Sequence, residues 1–276
     1  MGFDGYALAD YHVHPDFSID AVGTMDEHCK KAVERRLSEI CFTTHYDSDP
    51  KVSEKVKVIK INGDRVPLTD EAIEIYLNAV RTAQDEYFPL GLMVKAGIEV
   101  SYYPGCEEHI GELFAKHNFD YKLVGVHDID GVCFCYVKEF EKCFGQYSPD
   151  QFGDIYFELM KSAVDSDLFD SVAHLDIYRR YGEKYYGEDI LKIHKGRIEP
   201  VFKSMLKTGV GFEINTAAFR HGLSQCYPSM EIVNLARSMG VSVTAIGSDA
   251  HKPDDVGDNL DSAAMISYDI FPYTDE

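Results

Sequence analysis

The chain is short of positive charge: 27 Lys and Arg against 47 Asp and Glu leave a formal net charge of -20 over 276 residues. That deficit argues against an unspecific grip on nucleic acid or an anionic membrane, because phosphate contacts need a basic patch. It does not exclude a small phosphorylated partner, since a few cations in one cleft reverse the sign locally. Long hydrophobic runs are missing as well. No stretch approaches the ~18 apolar residues that cross a bilayer. "MGFDGYALADY" has neither the basic start nor the apolar run of a signal peptide, so a cytoplasmic protein is expected.

Cys-x-x-Cys spacing is absent, and the seven cysteines are odd in number. They read as small buried hydrophobes in a reducing compartment. For Cys133 and Cys135, in "GVCFCY", a metal or redox role is the alternative. No low-complexity tract and no Pro/Gly/Ser linker marks a boundary, so residues 1–276 are expected to form one domain.

What is present suffices for a full core: 45% of residues are hydrophobic and 12% aromatic. Apolar strand-like runs alternate with amphipathic helical ones. "GYALADYHVH" reads as a strand, and "TMDEHCKKAVERR" as a helix capped by Thr24 with Glu27 closing the capping box. "SEICFTTH", "LMVKAGIEVSYY", "YKLVGVHDI", "DSVAHLDIY", "GVGFEINTA" and "VSVTAIGSDAH" continue the strands. "TDEAIEIYLNAVRTAQDEYF", "CEEHIGELFAKHN", "QFGDIYFELMKSAVDS", "EDILKIHKGRIEPVFKSMLKTG" and "SMEIVNLARSMG" continue the helices, and a short last one is expected near 260–268. Seven such units with apolar strands imply a parallel sheet closed or nearly closed into a distorted (β/α)7 TIM-like barrel. Two loops are long: 46–70, where "INGDR" suggests a hairpin, and 131–152; either could form a lid or wall. The aromatic residues of the second (Phe134, Tyr136, Phe140, Phe144, Tyr147) read first as a mini-core of that loop.

The chemistry gathers where strands end. His12 and His14 close the first strand, one residue apart and so on the same face. The next ends carry His45, Glu99, His127, His174, Glu213 with Asn215, and finally Asp249 followed by His251. Parallel βα barrels bring these ends to one mouth. A lone histidine there is usually a hydrogen-bonded structural residue; six with several carboxylates are better explained by metal. Nitrogen and carboxylate donors together suit Zn, Mn or Fe.

"DYHVHPDFSID", "TTH", "GIEVSY", "GVHD", "AHLDIY", "EINTA" and "GSDAH" occur in the order seen in the PHP (polymerase and histidinol phosphatase) family. The chain resembles that family from about Asp10 to His251, most closely its monofunctional histidinol-phosphate phosphatases. The resemblance implies a trinuclear site of three divalent ions. His12, His14, Glu99 and Asp249 would hold one ion, Glu99 would bridge to a second on His127 and His174, and Asp20, His45 and His251 would hold the third. Asp16 competes with Asp20, loop capping being the plainer role for either. The implied reaction is hydrolysis of L-histidinol phosphate by a metal-bridging hydroxide, with Glu99, His127, His174 and Asp249 around the reacting centre.

Phosphate recognition calls for a fork-shaped cation. Arg220 in "EINTAAFRHG" is the first candidate, Arg179 and Arg180 in "HLDIYRRYG" the second. Asn215 and Glu213 could orient ligands or hold the substrate's amino group, and Asp10 could accept from an imidazole N–H or cap its strand. Two rivals share parts of the pattern: a PHP phosphoesterase of another small ester, and an amidohydrolase-type deaminase or lactonase.

Overall fold

The computed structural model describes residues 8–270. Seven strands make one parallel sheet: β1 (Ala9–Val13), β2 (Glu39–Tyr46), β5 (Met93–Ser101), β6 (Tyr121–Gly125), β9 (Ser171–Val172), β10 (Gly211–Asn215) and β11 (Val243–Gly247), each beside the next. Two small antiparallel hairpins lie outside it, β3 (Val58–Ile61) with β4 (Asp64–Pro67), and β7 (Asp128–Ile129) with β8 (Val132–Cys133). The sheet all but closes on itself. Val13 bridges Ala250 in parallel, and His14 N–H donates to the Ala250 carbonyl at 2.8 Å. Asp10 tightens the seam: its carboxylate accepts the Ser248 and Gly257 N–H groups, each at 2.8 Å, as well as the Ser248 hydroxyl. Asp10 is therefore a strand tie and not an imidazole partner.

Helices cover the outside: α1 (Met25–Glu34), α2 (Asp70–Tyr87), α3 (Glu107–Lys116), α4 (Phe140–Phe144), α5 (Pro149–Asp165), α6 (Arg179–Tyr186), α7 (Ile198–Thr208), α8 (Ala217–Arg220), α9 (Met230–Met239) and α10 (Leu260–Ile270). Among the described residues no helix is long and apolar enough to cross a membrane. Thr24 and Glu27 form the expected capping box on α1, and Ser148 with Gln151 forms a second on α5. Most of the core lies between these helices and the sheet. A separate small cluster of Cys41, Tyr121, Leu123 and Ala173, with Tyr11 and Ala245 against it, plugs the barrel interior. Because side chains alternate along a strand, Cys41 in that plug puts His45 on the same inward face of β2, four residues nearer the mouth. Leu123 in the plug is register partner to Glu99 of β5.

Three sequence expectations shift. Gly5, Tyr6 and Ala7 of the first expected strand lie outside the described residues. The fifth strand is two residues long, because the His174 N–H goes to the Glu213 carboxylate (2.9 Å) instead of continuing the ladder, and the chain then turns toward α6. The helix expected over 188–209 is broken at Gly196, whose φ of +77° no continuing helix holds; a 3-10 turn over Gly187–Lys192 precedes α7.

Both long loops are built, not loose. The "INGDR" hairpin turns through Asn62 and Gly63, both at positive φ, as a type I′ turn requires. It docks on the β1–α1 loop through Lys60, whose N–H donates to Phe17 O (2.9 Å) and whose ammonium donates to Ala21 O (2.7 Å). Lys51 and Asp130 tie the two loops together at 2.8 Å. Phe134, Phe140 and Phe144 are buried and pack with Phe152 and Tyr156 of α5 and Tyr181 of α6, joining the main core where a separate mini-core of the loop was expected; Tyr136 stands exposed.

Candidate metal centre

The C-terminal strand ends bring all nine proposed ligands into one contiguous cluster. At its middle is Glu99. One carboxylate oxygen, Oε1, faces His174 Nε2 at 2.9 Å and His127 Nε2 at 3.3 Å. The other, Oε2, faces His45 Nδ1 at 2.9 Å and both His12 Nε2 and His14 Nε2 at 3.5 Å. Asp249 Oδ1 lies 3.7, 3.4 and 3.4 Å from His12 Nε2, His14 Nε2 and His251 Nδ1. Asp20 closes the far side, 3.5 Å from His45 Nε2 and 3.4 Å from His251 Nε2. Asp16, its competitor, accepts the Met25 N–H at 3.2 Å at the start of α1 and stays out of the cluster.

Depth is graded. His12 and Glu99 are 0% and 1% exposed by side chain, His251 31% and Asp20 55%. The floor is therefore sealed, and the cluster opens to solvent at Asp20 and His251.

The outer ring nitrogens of three of the histidines are occupied by the protein. His12 Nδ1 is 2.8 Å from Glu213 Oε1, His14 Nδ1 3.1 Å from Ser18 Oγ, and His127 Nδ1 2.8 Å from Ser101 Oγ. The Glu213 carboxylate can only accept and so sets Nδ1–H on His12; the serine hydroxyls are able to accept from Nδ1–H in the same way, which leaves Nε2 as the inward lone pair. Ser18 and Ser101 carried no signal in the sequence beyond lying four residues after His14 and two after Glu99.

The inward atoms then face one another awkwardly. His12 Nε2 and His14 Nε2 are 3.0 Å apart, His127 Nε2 and His174 Nε2 3.3 Å. Glu99 Oε2 and His174 Nδ1 are buried without a hydrogen bond. Burial opposes charge on His12, but Glu213, Asp249 and Glu99 outweigh it and hold its pKa well above the ordinary value. Burial, together with His45 and His251, drives His14 well below. A proton is thus pulled onto one ring while its neighbour refuses one. A divalent cation satisfies both lone pairs and the carboxylates at once, so the donor set fits metal. Three overlapping triads have the reach to hold an ion: His12, His14 and Asp249; His12, Glu99 and His174; and His14, His45 and His251.

Two candidate ligand positions carry unusual backbone: His174 at φ +25° and Asp249 at φ +53°. Each conformation is disfavoured outside glycine and costs about 1–3 kcal/mol. Glu213 holds the first by taking the His174 N–H. Arg220 holds the second, donating from Nη2 to the Ser248 and Asp249 carbonyls, the latter at 3.0 Å. Arg220 also lies against Asp255 and Asp258 at 3.4 and 3.6 Å, so this first candidate for phosphate also braces the turn that presents Asp249, with Nη1 left without a hydrogen bond.

Arg179 also departs from expectation. It is buried and donates to Asp176 (3.0 Å) and to the Cys226 carbonyl (3.1 Å), over the Tyr227 ring. Asn215 is fully buried behind His12, bonded to Glu213 (3.1 Å) and to the Ala217 N–H (2.9 Å). Arg180 has a single hydrogen bond, from Nη1 to the Cys135 carbonyl at 3.2 Å. It lies close enough to His221 to help burial press that imidazole's pKa down to about 4. His221 is held by Tyr227 OH at 3.1 Å; nothing local in the sequence marks it.

Close approach demands glycine at two points. A Cβ on Gly125 would lie 2.7 Å from His127 Nε2, and one on Gly247 would run into Glu213 Oε1 and His12 Cβ.

Comparison with known proteins agrees with this geometry. Residues 10–217 match the PHP domain, and the chain belongs to that family. A Deinococcus radiodurans protein named "Probable histidinol-phosphatase" is 26% identical over 257 residues, 91% of this chain and 88% of that one. A crystal structure of a histidinol phosphatase candidate from Listeria monocytogenes superposes with a TM-score of 0.75 at 18% identity, covering 92% and 99% of the two chains. The Lactococcus lactis histidinol phosphate phosphatase, complexed with zinc, L-histidinol and phosphate, superposes at 0.72 with 18% identity over 96% and 94%.

Proposed function

We propose that this chain is a divalent-metal-dependent phosphomonoesterase that hydrolyses L-histidinol phosphate to L-histidinol and phosphate. The observation that carries the reading is the Glu99 carboxylate, with one oxygen toward His127 and His174 and the other toward His12, His14 and His45. A carboxylate so divided suits a bridge between two cations.

In this reading His12, His14, Glu99 and Asp249 hold one ion, Glu99, His127 and His174 a second, and Asp20, His45 and His251 a third, of zinc, manganese or iron type. Bound there, the ions neutralise phosphoryl oxygens and lower the pKa of water so that it attacks phosphorus near neutral pH. Glu213, Ser18 and Ser101 keep the imidazoles turned inward. Arg180 offers its guanidinium to the phosphate. The sealed floor behind His12 and Glu99 excludes bulk water, and the substrate's alcohol points out past Asp20 and His251. Glu99 stands where an amidohydrolase-type deaminase or lactonase would want a bridging lysine, which disfavours that rival. Family membership and the ligands of the Lactococcus lactis protein support the choice of ester.

The test is phosphate release from L-histidinol phosphate against a panel of other monoesters, on protein whose metal content is measured. Expected is a kcat/KM at least about 100-fold above the panel. Equal turnover of all esters overturns the substrate assignment; no release from any ester by metal-replete protein overturns the reaction.

A further inference from the structure

Five of the seven cysteines (Cys29, Cys41, Cys106, Cys143, Cys226) are buried. The two that reach solvent are Cys133 and Cys135, and their sulfurs lie 3.3 Å apart. The five match the reading as small buried hydrophobes, and the two are those for which a metal or redox role was the alternative. Among the described residues the pair belongs to no group of three potential metal ligands.

The pair is connected to the centre through the backbone. Cys135 Sγ is 3.9 Å from the His127 carbonyl, and the Phe134 N–H donates to that carbonyl at 3.1 Å. The Cys135 carbonyl in turn accepts from Arg180. Residues 133–135 thus link a metal-ligand candidate to the phosphate-binding candidate. We propose that Cys133 and Cys135 are a modification site that closes to a reversible disulfide under hydroperoxide, and that closure lowers turnover by shifting the His127 carbonyl and Arg180.

The chemistry balances. One thiolate attacks the O–O bond of hydrogen peroxide, forming a sulfenic acid and releasing water after protonation. The second sulfur displaces water from that sulfenic acid and makes the S–S bond. Two thiols lose two electrons and two protons, and one peroxide becomes two waters. The bond needs sulfurs at about 2.05 Å and α-carbons no farther apart than about 6.8 Å. The chain bends over 134–136, just after the Val132–Cys133 strand, and already brings the sulfurs to 3.3 Å. Drawing them from there to bond length moves the segment that holds both hydrogen bonds.

The effect on turnover rests on the proposed phosphatase reading; bridge formation does not. Zinc-loaded protein, with a redox-inert metal, is treated with excess hydrogen peroxide, alkylated with N-ethylmaleimide and digested. Expected is a 133–135 peptide lighter by the mass of two hydrogens (about 2 Da) that takes up no alkylating agent. Turnover of L-histidinol phosphate should fall about tenfold, the scale of outer-shell effects at metal sites. Zinc release to a chromogenic chelator should quicken, dithiothreitol should reverse both, and Cys133→Ser protein should be spared. Sulfenic or sulfinic acid without a bridge overturns the proposal, as does no reaction. A bridge that leaves both turnover and zinc release unchanged overturns the switch. Should the protein turn over no monoester, zinc release alone decides it.

Discussion

Glu213 braces two histidines from different strands with one carboxylate: Oε1 stands 2.8 Å from His12 Nδ1 while Oε2 takes the His174 N–H at 2.9 Å. Two inward-facing imidazoles thus share a single buried support, and its removal should be felt at both. Glu213→Gln keeps the shape but weakens the charge-assisted bond to His12. Metal affinity should drop about 10–100-fold with the fold retained, read by metal titration beside circular dichroism. Unchanged affinity would show that Glu213 only packs.

His174 lies 2.9 Å from Glu99 with its backbone at positive φ, deep in the cluster. His174→Ala should lower kcat far more than KM for L-histidinol phosphate. A loss confined to KM would place it with the substrate and not beside the reacting phosphorus.

Exhaustive chelation should abolish activity and destabilise the protein, because paired imidazole lone pairs and a buried carboxylate lose their common partner. A site saturated at 100 times its Kd contributes about 2.7 kcal/mol. Thermal melts with and without chelator measure it; activity surviving verified metal removal would sink the metal mechanism.

Arg180 and Arg220 should separate cleanly. Arg180→Ala should raise KM and weaken inhibition by inorganic phosphate about tenfold, with metal content intact, the scale of one charge-assisted contact. Arg220→Ala should instead lose metal and kcat, since its guanidinium holds the Ser248 and Asp249 carbonyls. The reverse pattern, measured by kinetics and metal analysis, would return Arg220 to the phosphate.

Gly247→Ala should cost roughly 1–3 kcal/mol, the usual range for overpacking, and disturb metal binding because the methyl meets Glu213 and His12. Denaturant unfolding reads the first effect, metal titration the second. A variant with wild-type values for both would mean that the strand yields without cost.

The clustering of the candidate ligands was legible because a parallel barrel turns sequence position into spatial position: a residue at the C-terminal end of a strand has one place to be. His12, His45, Glu99 and His127 could be read off strand ends for that reason. The capping box at Thr24 and the Asn62–Gly63 turn were equally local, set by side chains bonding their own backbone or by φ alone. The arginines were not legible. Arg179, Arg180 and Arg220 look alike in sequence, and a guanidinium's long reach lets distant partners claim it: Asp176 and Cys226 for the first, Ser248, Asp249 and Asp258 for the last.

Sequence alone determined the alternation of strands and helices, the acidic balance and the histidines at strand ends, all of which follow from periodicity and composition. Only the tertiary structure decided that Asp20 and not Asp16 closes the cluster, that Asn215 lies behind His12, and that Ser18 and Ser101 hold imidazole nitrogens. Those choices depend on ångström distances between segments far apart in the chain, which no local pattern encodes.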